Sequence, residues 1–180
     1  MHFVRQQHRT HFGFTCLNYK IIKATNMKKV TSIIVPVVIC FLVGFTASYF
    51  QKDAIETWYP YLNKPSLTPP NIVFPIAWSI IYLCMGISIG LILISNSLKR
   101  QNLITIFGIQ LFLNFGWSIL FFYFRNPLWG MIDILLLDVV VTMYAFVSYP
   151  VKKVSSILFW PYIIWIYFAT YLNGYILLNN

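Results

Sequence analysis

Charge is what this chain has least of. Only 13 of its 180 residues are Lys or Arg and 4 are Asp or Glu, 9% in all, where a soluble domain carries roughly 25%. So few ionic groups cannot cover a water-facing surface, which excludes an ordinary soluble protein. The surplus of +9 does not restore a nucleic-acid reading, because the cations are dispersed at the ends of apolar runs and line no basic face. Histidine is confined to His2, His8 and His11. Axial ligation of haem iron inside an apolar segment would therefore need a less usual ligand. The three cysteines, Cys16, Cys40 and Cys84, are odd in number and far apart, so neither a disulfide framework nor a metal spacing follows. No HExxH, P-loop, GxSxG or carboxylate dyad occurs. No internal repeat is evident, which removes one signature of a secondary transporter.

What the chain has in abundance is apolar surface: 59% hydrophobic residues, 19% aromatic, mean hydropathy +0.71. It falls into five segments, about 31–50, 72–95, 103–124, 127–149 and 154–178. Each is close to the ~20 residues that cross a bilayer. The expected fold is an all-α membrane protein, a five-helix transmembrane bundle whose short connections make neighbours antiparallel. Residues 1–26 read as a basic, disordered N-terminal tail. Met27, followed by Lys28-Lys29 and an apolar run, looks like a natural start, and 27–180 is the membrane domain. The run after Lys29 also resembles a secretory signal, but it is long for one, and cleavage would cost the other spans a packing partner.

Basic residues set the orientation. Arg5, Arg9, Lys20, Lys23, Lys28, Lys29, Lys99, Arg100, Lys152 and Lys153 fall on one side, against Lys52, Lys64 and Arg125 on the other. The N-terminus is expected in the cytoplasm, and the loop after the first span on the outer face. That loop, Trp58 to Pro70, carries Pro60, Pro65, Pro69 and Pro70. Each fixes its own φ and pushes its predecessor toward extended backbone. A stiff aromatic loop therefore feeds the second helix, which Asn71 could cap and in which Pro75 lies near the first turn. By itself such a loop is a rigid connector.

The spans carry rows at helical spacing. Trp78, Tyr82, Gly86 and Gly90 share one row, whose glycine end suits close approach of another helix, within the chain or across a dimer. Gln110, Asn114 and Ser118, with Trp117 beside them, form a second row, read as interhelical glue or as a polar handle in an apolar pocket. Asp133 and Asp138 lie about 140° apart on a helix and cannot pair. With no Lys, Arg or His at their depth, structural hydrogen bonding is the expected role of both. Pro161, Trp165, Ala169 and Asn173 make a last row, flanked by Phe168 and Leu172, in which Ala169 leaves room. Aromatic walls, one or two amides and small residues suit a flat, largely apolar ligand.

These residues resemble the TspO/MBR family, also called translocator protein, peripheral-type benzodiazepine receptor or tryptophan-rich sensory protein. The motifs are Trp58-Tyr59, Lys64-Pro65-Ser66, Pro69-Pro70, Trp78, Tyr82 and Met85-Gly86. They continue with Gln110, Leu113-Asn114, Trp117, Phe121-Phe122 and Asp133-Ile134-Leu135-Leu136, then Pro161-Tyr162, Trp165, Phe168-Ala169-Thr170 and Leu172-Asn173. They run in order over about 31–178. The resemblance implies a bundle that is often dimeric, in a bacterial cell membrane, with a pocket closed by the loop after helix one. It implies binding of protoporphyrin IX, other tetrapyrroles and benzodiazepine- or isoquinoline-type drugs, with no required cofactor and no metal. Trp58 carries over to the lid, and Trp78, Asn114, Trp117, Trp165, Phe168, Ala169 and Leu172 to the pocket. The role implied is sensor, regulator or carrier. An alternative, also by resemblance, is light- and oxygen-dependent porphyrin degradation using Trp78 and Trp165; another is small-molecule or sterol transport. Two features depart from the family. Leu67 stands where Trp is common, removing one aromatic wall of the loop. The segment after Tyr171 has no Lys or Arg, so the sterol motif of animal members is not met.

The charge asymmetry is testable on intact cells. Asn63→Cys is expected to react with a membrane-impermeant maleimide from outside, and Lys152→Cys only after permeabilisation; the reverse pattern would invert the topology.

Overall fold

The structure, a computed structural model, describes the backbone of residues 3–180 and the side chains of residues 27–180. Helix α1 runs Phe3–Thr57, α2 Val73–Leu93, α3 Arg100–Trp117, α4 Pro127–Ser148, α5 Lys153–Ile157 and α6 Trp160–Asn179. No strand occurs among the described residues. Among the described residues, five helical stretches are long and apolar enough to cross a membrane: Met27–Thr57, Val73–Leu93, Arg100–Tyr123, Pro127–Ser148 and Lys153–Asn179. The five-helix bundle expected from hydropathy is thus observed, with the fifth span made of α5 and α6. The tail expected over 1–26 falls on residues whose side chains lie outside those described.

Most boundaries match to within a few residues, and the differences have local causes. Helix α1 continues past residue 50 to Thr57, because Lys52, Asp53 and Glu56 lower hydropathy without breaking a helix. The expected cap at Asn71 is not formed. Ile72 is the cap residue and contributes no side-chain bond; Val73 N–H instead donates to Pro70 O at 2.9 Å, a backbone turn. Asn126 does cap α4, accepting from Trp129 N–H at 3.1 Å, with Pro127 in the first turn, where its missing donor costs nothing.

Helix α3 passes into a π-helical turn over Ser118–Tyr123. Such turns re-aim side chains and are frequent at functional sites. The chain then reverses over three residues, with Arg125 in the left-handed region at φ 50°. Arg125 donates to Asp53 Oδ2 at 2.6 Å and to Thr57 Oγ1 at 2.9 Å, tying this reversal to the end of α1. At the same end, Asn63 N–H donates to Asn180 Oδ1 at 2.8 Å and Asn63 Nδ2 to Asn179 O at 3.0 Å. At the opposite end, Ser88 shares a 2.7 Å hydrogen bond with Ser155 Oγ, and Tyr144 Oη lies 3.2 Å from Ser88 Oγ. This buried cluster binds α5 to α2 and α4.

The glycine row of α2 is occupied inside the chain. A Cβ at Gly86 would overlap the Val37 backbone, and one at Gly90 would lie 2.8 Å from Ile33 Cα and Ser32 O. Of the two uses open to this row, intramolecular packing is the one realised: α1 lies backbone-to-backbone on α2. Gly108 of α3, by contrast, faces open space. Gly86→Leu is expected to destabilise the bundle by about 1–3 kcal/mol, the usual cost of overpacking. Gly108→Leu should stay within about 0.5 kcal/mol of the parent. Thermal unfolding in detergent, followed by tryptophan fluorescence, compares the two.

Candidate functional site

A slot of about 520 Å³ lies between α1, the first turns of α2, the π-helical end of α3 and the middle of α6. Its volume is within the ~300–1,000 Å³ of small-molecule sites. Along α1 it extends from Phe41 to Ile55, roughly 20 Å at 1.5 Å per residue. It begins where the close contact of α1 with α2 ends. The glycine contacts hold them together from Ser32 to Val37, and Tyr82 packs over Gly44, where a Cβ would collide with its ring. Beyond Gly44 the gap is filled by neither helix.

The walls are aromatic. Trp78 stacks on Tyr82, with ring centres 5.4 Å apart and planes 25° apart. Trp117 stacks on Phe121 at 5.3 Å and 15°, and Trp165 meets Phe74 edge-on at 5.7 Å. All six rings line the slot, as do Ala169 and Leu172. Offset and edge-on pairs of this kind hold rings in fixed planes and leave flat faces available. Ala169 is small, and the volume a larger residue would fill remains open.

Of the eight residues expected at the site, five line the slot: Trp78, Trp117, Trp165, Ala169 and Leu172. Three do not. Trp58 packs on the edge of Phe121, ring centres 5.5 Å apart, and so stands behind the wall; its neighbour Tyr59 reaches the slot instead. Phe168 packs between Trp165 and Tyr171, on the far side of the indole. Asn114 is buried beneath the floor, accepting from Tyr82 Oη at 3.1 Å and donating to Tyr162 Oη at 2.9 Å. It is glue rather than handle: it positions a wall residue without touching the slot. Helical periodicity aims a side chain inward but does not say whether a ring intervenes.

The other members of its row divide. Gln110 lies against Met85 Sδ at 4.0 Å, its Oε1 buried without a partner. Ser118 lines the slot and accepts from Gln51 Nε2 at 2.7 Å. Asp138 accepts from Thr170 Oγ1 at 2.9 Å, as expected. Asp133 departs from expectation. Its Oδ2 is buried without a partner, and Oδ1 faces the bare Cα of Gly116, where a Cβ would lie 3.1 Å away. Among the described residues no side chain donates to it.

The α1 wall was missed by the row analysis. Gly44, Ser48, Gln51 and Ile55 recur at three- and four-residue spacing and line the slot. Small and polar residues at that period on an otherwise greasy helix were the available signal.

Above the slot, the proline loop and the end of α6 enclose a polar groove of about 840 Å³. Tyr59 and Asn71 line both spaces and so stand at their junction. Lys64 Nζ donates to Tyr59 O at 2.6 Å and Pro60 O at 3.1 Å and lies 4.7 Å from the Tyr59 ring centre. Partial desolvation lowers its pKa from the usual lysine value, and burial raises that of Tyr59. Lys64 is the one cation lining this groove among the described residues.

A five-span bundle with an indole-walled slot under a Lys-Pro-Ser loop narrows the choice of family, and comparison with known proteins decides it. Residues 36–178 match the TspO/MBR family profile. The chain belongs to the TspO/MBR family. It is 39% identical over 157 residues to the tryptophan-rich protein TspO of Chlorobaculum tepidum, covering 85% of this chain and 98% of that protein. It is 40% identical over 138 residues to the tryptophan-rich protein TspO of Archaeoglobus fulgidus, covering 77% and 90%. It is 30% identical over 132 residues to the human translocator protein, covering 72% and 78%. It is thus an integral, multi-pass membrane protein of this family.

The Asn114 bridge gives a prediction that separates glue from handle. Asn114→Leu strands two buried tyrosine hydroxyls and is expected to cost about 1–3 kcal/mol. Thermal unfolding should show that loss. Undiminished stability would mean that the bridge is not needed to hold the floor.

Proposed function

We propose that the slot binds a tetrapyrrole of the protoporphyrin IX type, and that the protein serves as a sensor, regulator or carrier of it. The observation that carries this reading is the set of three indoles, Trp78, Trp117 and Trp165, on the walls of one space of about 520 Å³. Stacking on indole faces would hold a planar macrocycle. Its carboxylates would lie toward the polar groove, where Lys64 supplies the counter-charge. Membership of the family supports the same ligand class. No charged side chain lines the slot, which suits a ligand whose polar groups sit at one edge.

The charge count supports a cytoplasmic N-terminus, and we place the protein in a bacterial cell membrane, as the family resemblance implies. The structure puts Lys28, Lys29, Lys99, Arg100, Lys152 and Lys153 at the end opposite the proline loop, leaving Lys52, Lys64 and Arg125 beside it. The homodimer inferred from the resemblance would use a face other than the Gly86–Gly90 row, which α1 covers.

Titration of protoporphyrin IX into purified protein is expected to quench tryptophan fluorescence saturably. The Trp78→Phe, Trp165→Phe double variant should bind at least tenfold more weakly. Unchanged affinity would place the ligand elsewhere. Illuminating the complex in oxygen tests the enzymatic alternative: bleaching faster than that of free porphyrin, lost in the double variant, would make the protein a porphyrin-degrading enzyme instead.

A further inference from the structure

We infer that Gln51 and Ser118 form a neutral hydrogen-bonding handle on the slot wall, one that selects planar apolar ligands presenting a donor beside an acceptor on one edge, as a lactam or secondary amide does. This rests on the slot being a binding site for a planar ligand, and within that reading it favours a ligand with a lactam edge over protoporphyrin IX itself, whose periphery carries no amide.

Gln51 lies on the outer half of α1, and Ser118 is the first residue of the π-helical turn. Both line the slot, and Gln51 Nε2 donates to Ser118 Oγ at 2.7 Å. That bond leaves half of each group unused. Among the described residues, Gln51 Oε1 accepts from nothing and the Ser118 hydroxyl donates to nothing. A helical serine or threonine ordinarily donates back to the carbonyl four residues earlier. Thr31, Ser32, Thr46 and Ser79 all do so here. Ser118 does not, and it stands where the helix changes from α to π.

The pair therefore offers the Gln51 Oε1 acceptor and the Ser118 hydroxyl proton, joined by a fixed bond, with the second Nε2–H of Gln51 as a further donor. A ligand N–H placed on Gln51 Oε1 and a ligand carbonyl receiving the Ser118 proton would close a ring of three hydrogen bonds. Both protein groups are neutral, so a charged edge would be left uncompensated in this wall. A hydrocarbon edge would leave donor and acceptor desolvated without partners, which disfavours it. Discrimination of this kind, by polar groups that must be satisfied, is stronger than discrimination by size alone.

Two tricyclic probes of nearly equal shape test this: phenanthridin-6-one, which carries the lactam edge, and phenanthrene, which does not. Their binding is followed by tryptophan quenching in one detergent, for the parent protein, Gln51→Leu and Ser118→Ala. In each variant, affinity for phenanthridin-6-one is expected to fall about tenfold, while that for phenanthrene holds or rises. Retained phenanthrene binding shows that the slot is intact. Unchanged affinities for both probes would overturn the handle and leave the slot standing. Equal loss of both probes would reduce the pair to a tie between helices. If neither probe binds the parent protein, the slot and the handle fall together.

Discussion

Two helices touching with no side chain between them set the geometry of this protein. Lipid tails give helices no hydrophobic reason to associate, so close van der Waals packing has to supply it. Gly86 and Gly90 let α2 receive the backbone of α1 at Ser32, Ile33 and Val37. That contact acts as a fixed end. Beyond it, the Tyr82 ring lies over Gly44, and past Gly44 a space opens beside α1. The slot is that space; Trp78 and Trp117 line it from the ends of α2 and α3 nearest the proline loop, and Trp165 lines it from the middle of the fifth span.

The free end of α1 is then held from outside the apolar layer. Arg125 bridges to Asp53 and Thr57, and Asn63 exchanges hydrogen bonds with Asn179 and Asn180. The proline loop has few backbone donors with which to hold itself, so side chains do that work: Lys64 reaches the carbonyls of Tyr59 and Pro60. Exposed bonds of this sort are individually weak. Contacts are thus backbone-close or fully buried in the half of the bundle that holds α5, while in the half beneath the proline loop exposed polar contacts close the space above the slot.

Much of this was legible in the chain. Span number, boundaries and the inward rows follow from hydropathy and the 3.6-residue period, because a bilayer makes those signals strong. Trp78, Trp117, Trp165, Ala169 and Leu172 could be named because they lie on those rows and match the family's motifs. Asn114 and Phe168 show where the period fails, since one is hidden below Tyr82 and the other behind Trp165. Trp58 shows the same for a loop: one residue further on, Tyr59 is the one that turns inward. The α1 wall has a weaker signature than the indole and amide rows, because α1 contributes mainly small residues and Gln51. The π-helical turn has no local sequence signal at all; it is read only from the backbone.

The polar groups of the spans divide according to whether a partner was supplied. Asn114, Ser88, Tyr144, Ser155, Asp138 and Asn173 each find at least one bond, and each ties together helices that hydrocarbon would otherwise leave indifferent. Among the described residues Asp133 finds none, and Gln110 Oε1 and the second carboxylate oxygen of Asp138 are likewise buried without a partner. A buried polar atom without a partner is a cost that packing elsewhere must offset. Gly116 is the concession visible at Asp133: the bare Cα is what lets the carboxylate fit against α3. Gln51 and Ser118 are a third case, bonded to each other yet each with a valence left over. They line the slot rather than a packed interface, and so the atoms that remain available there can be satisfied by something that enters it.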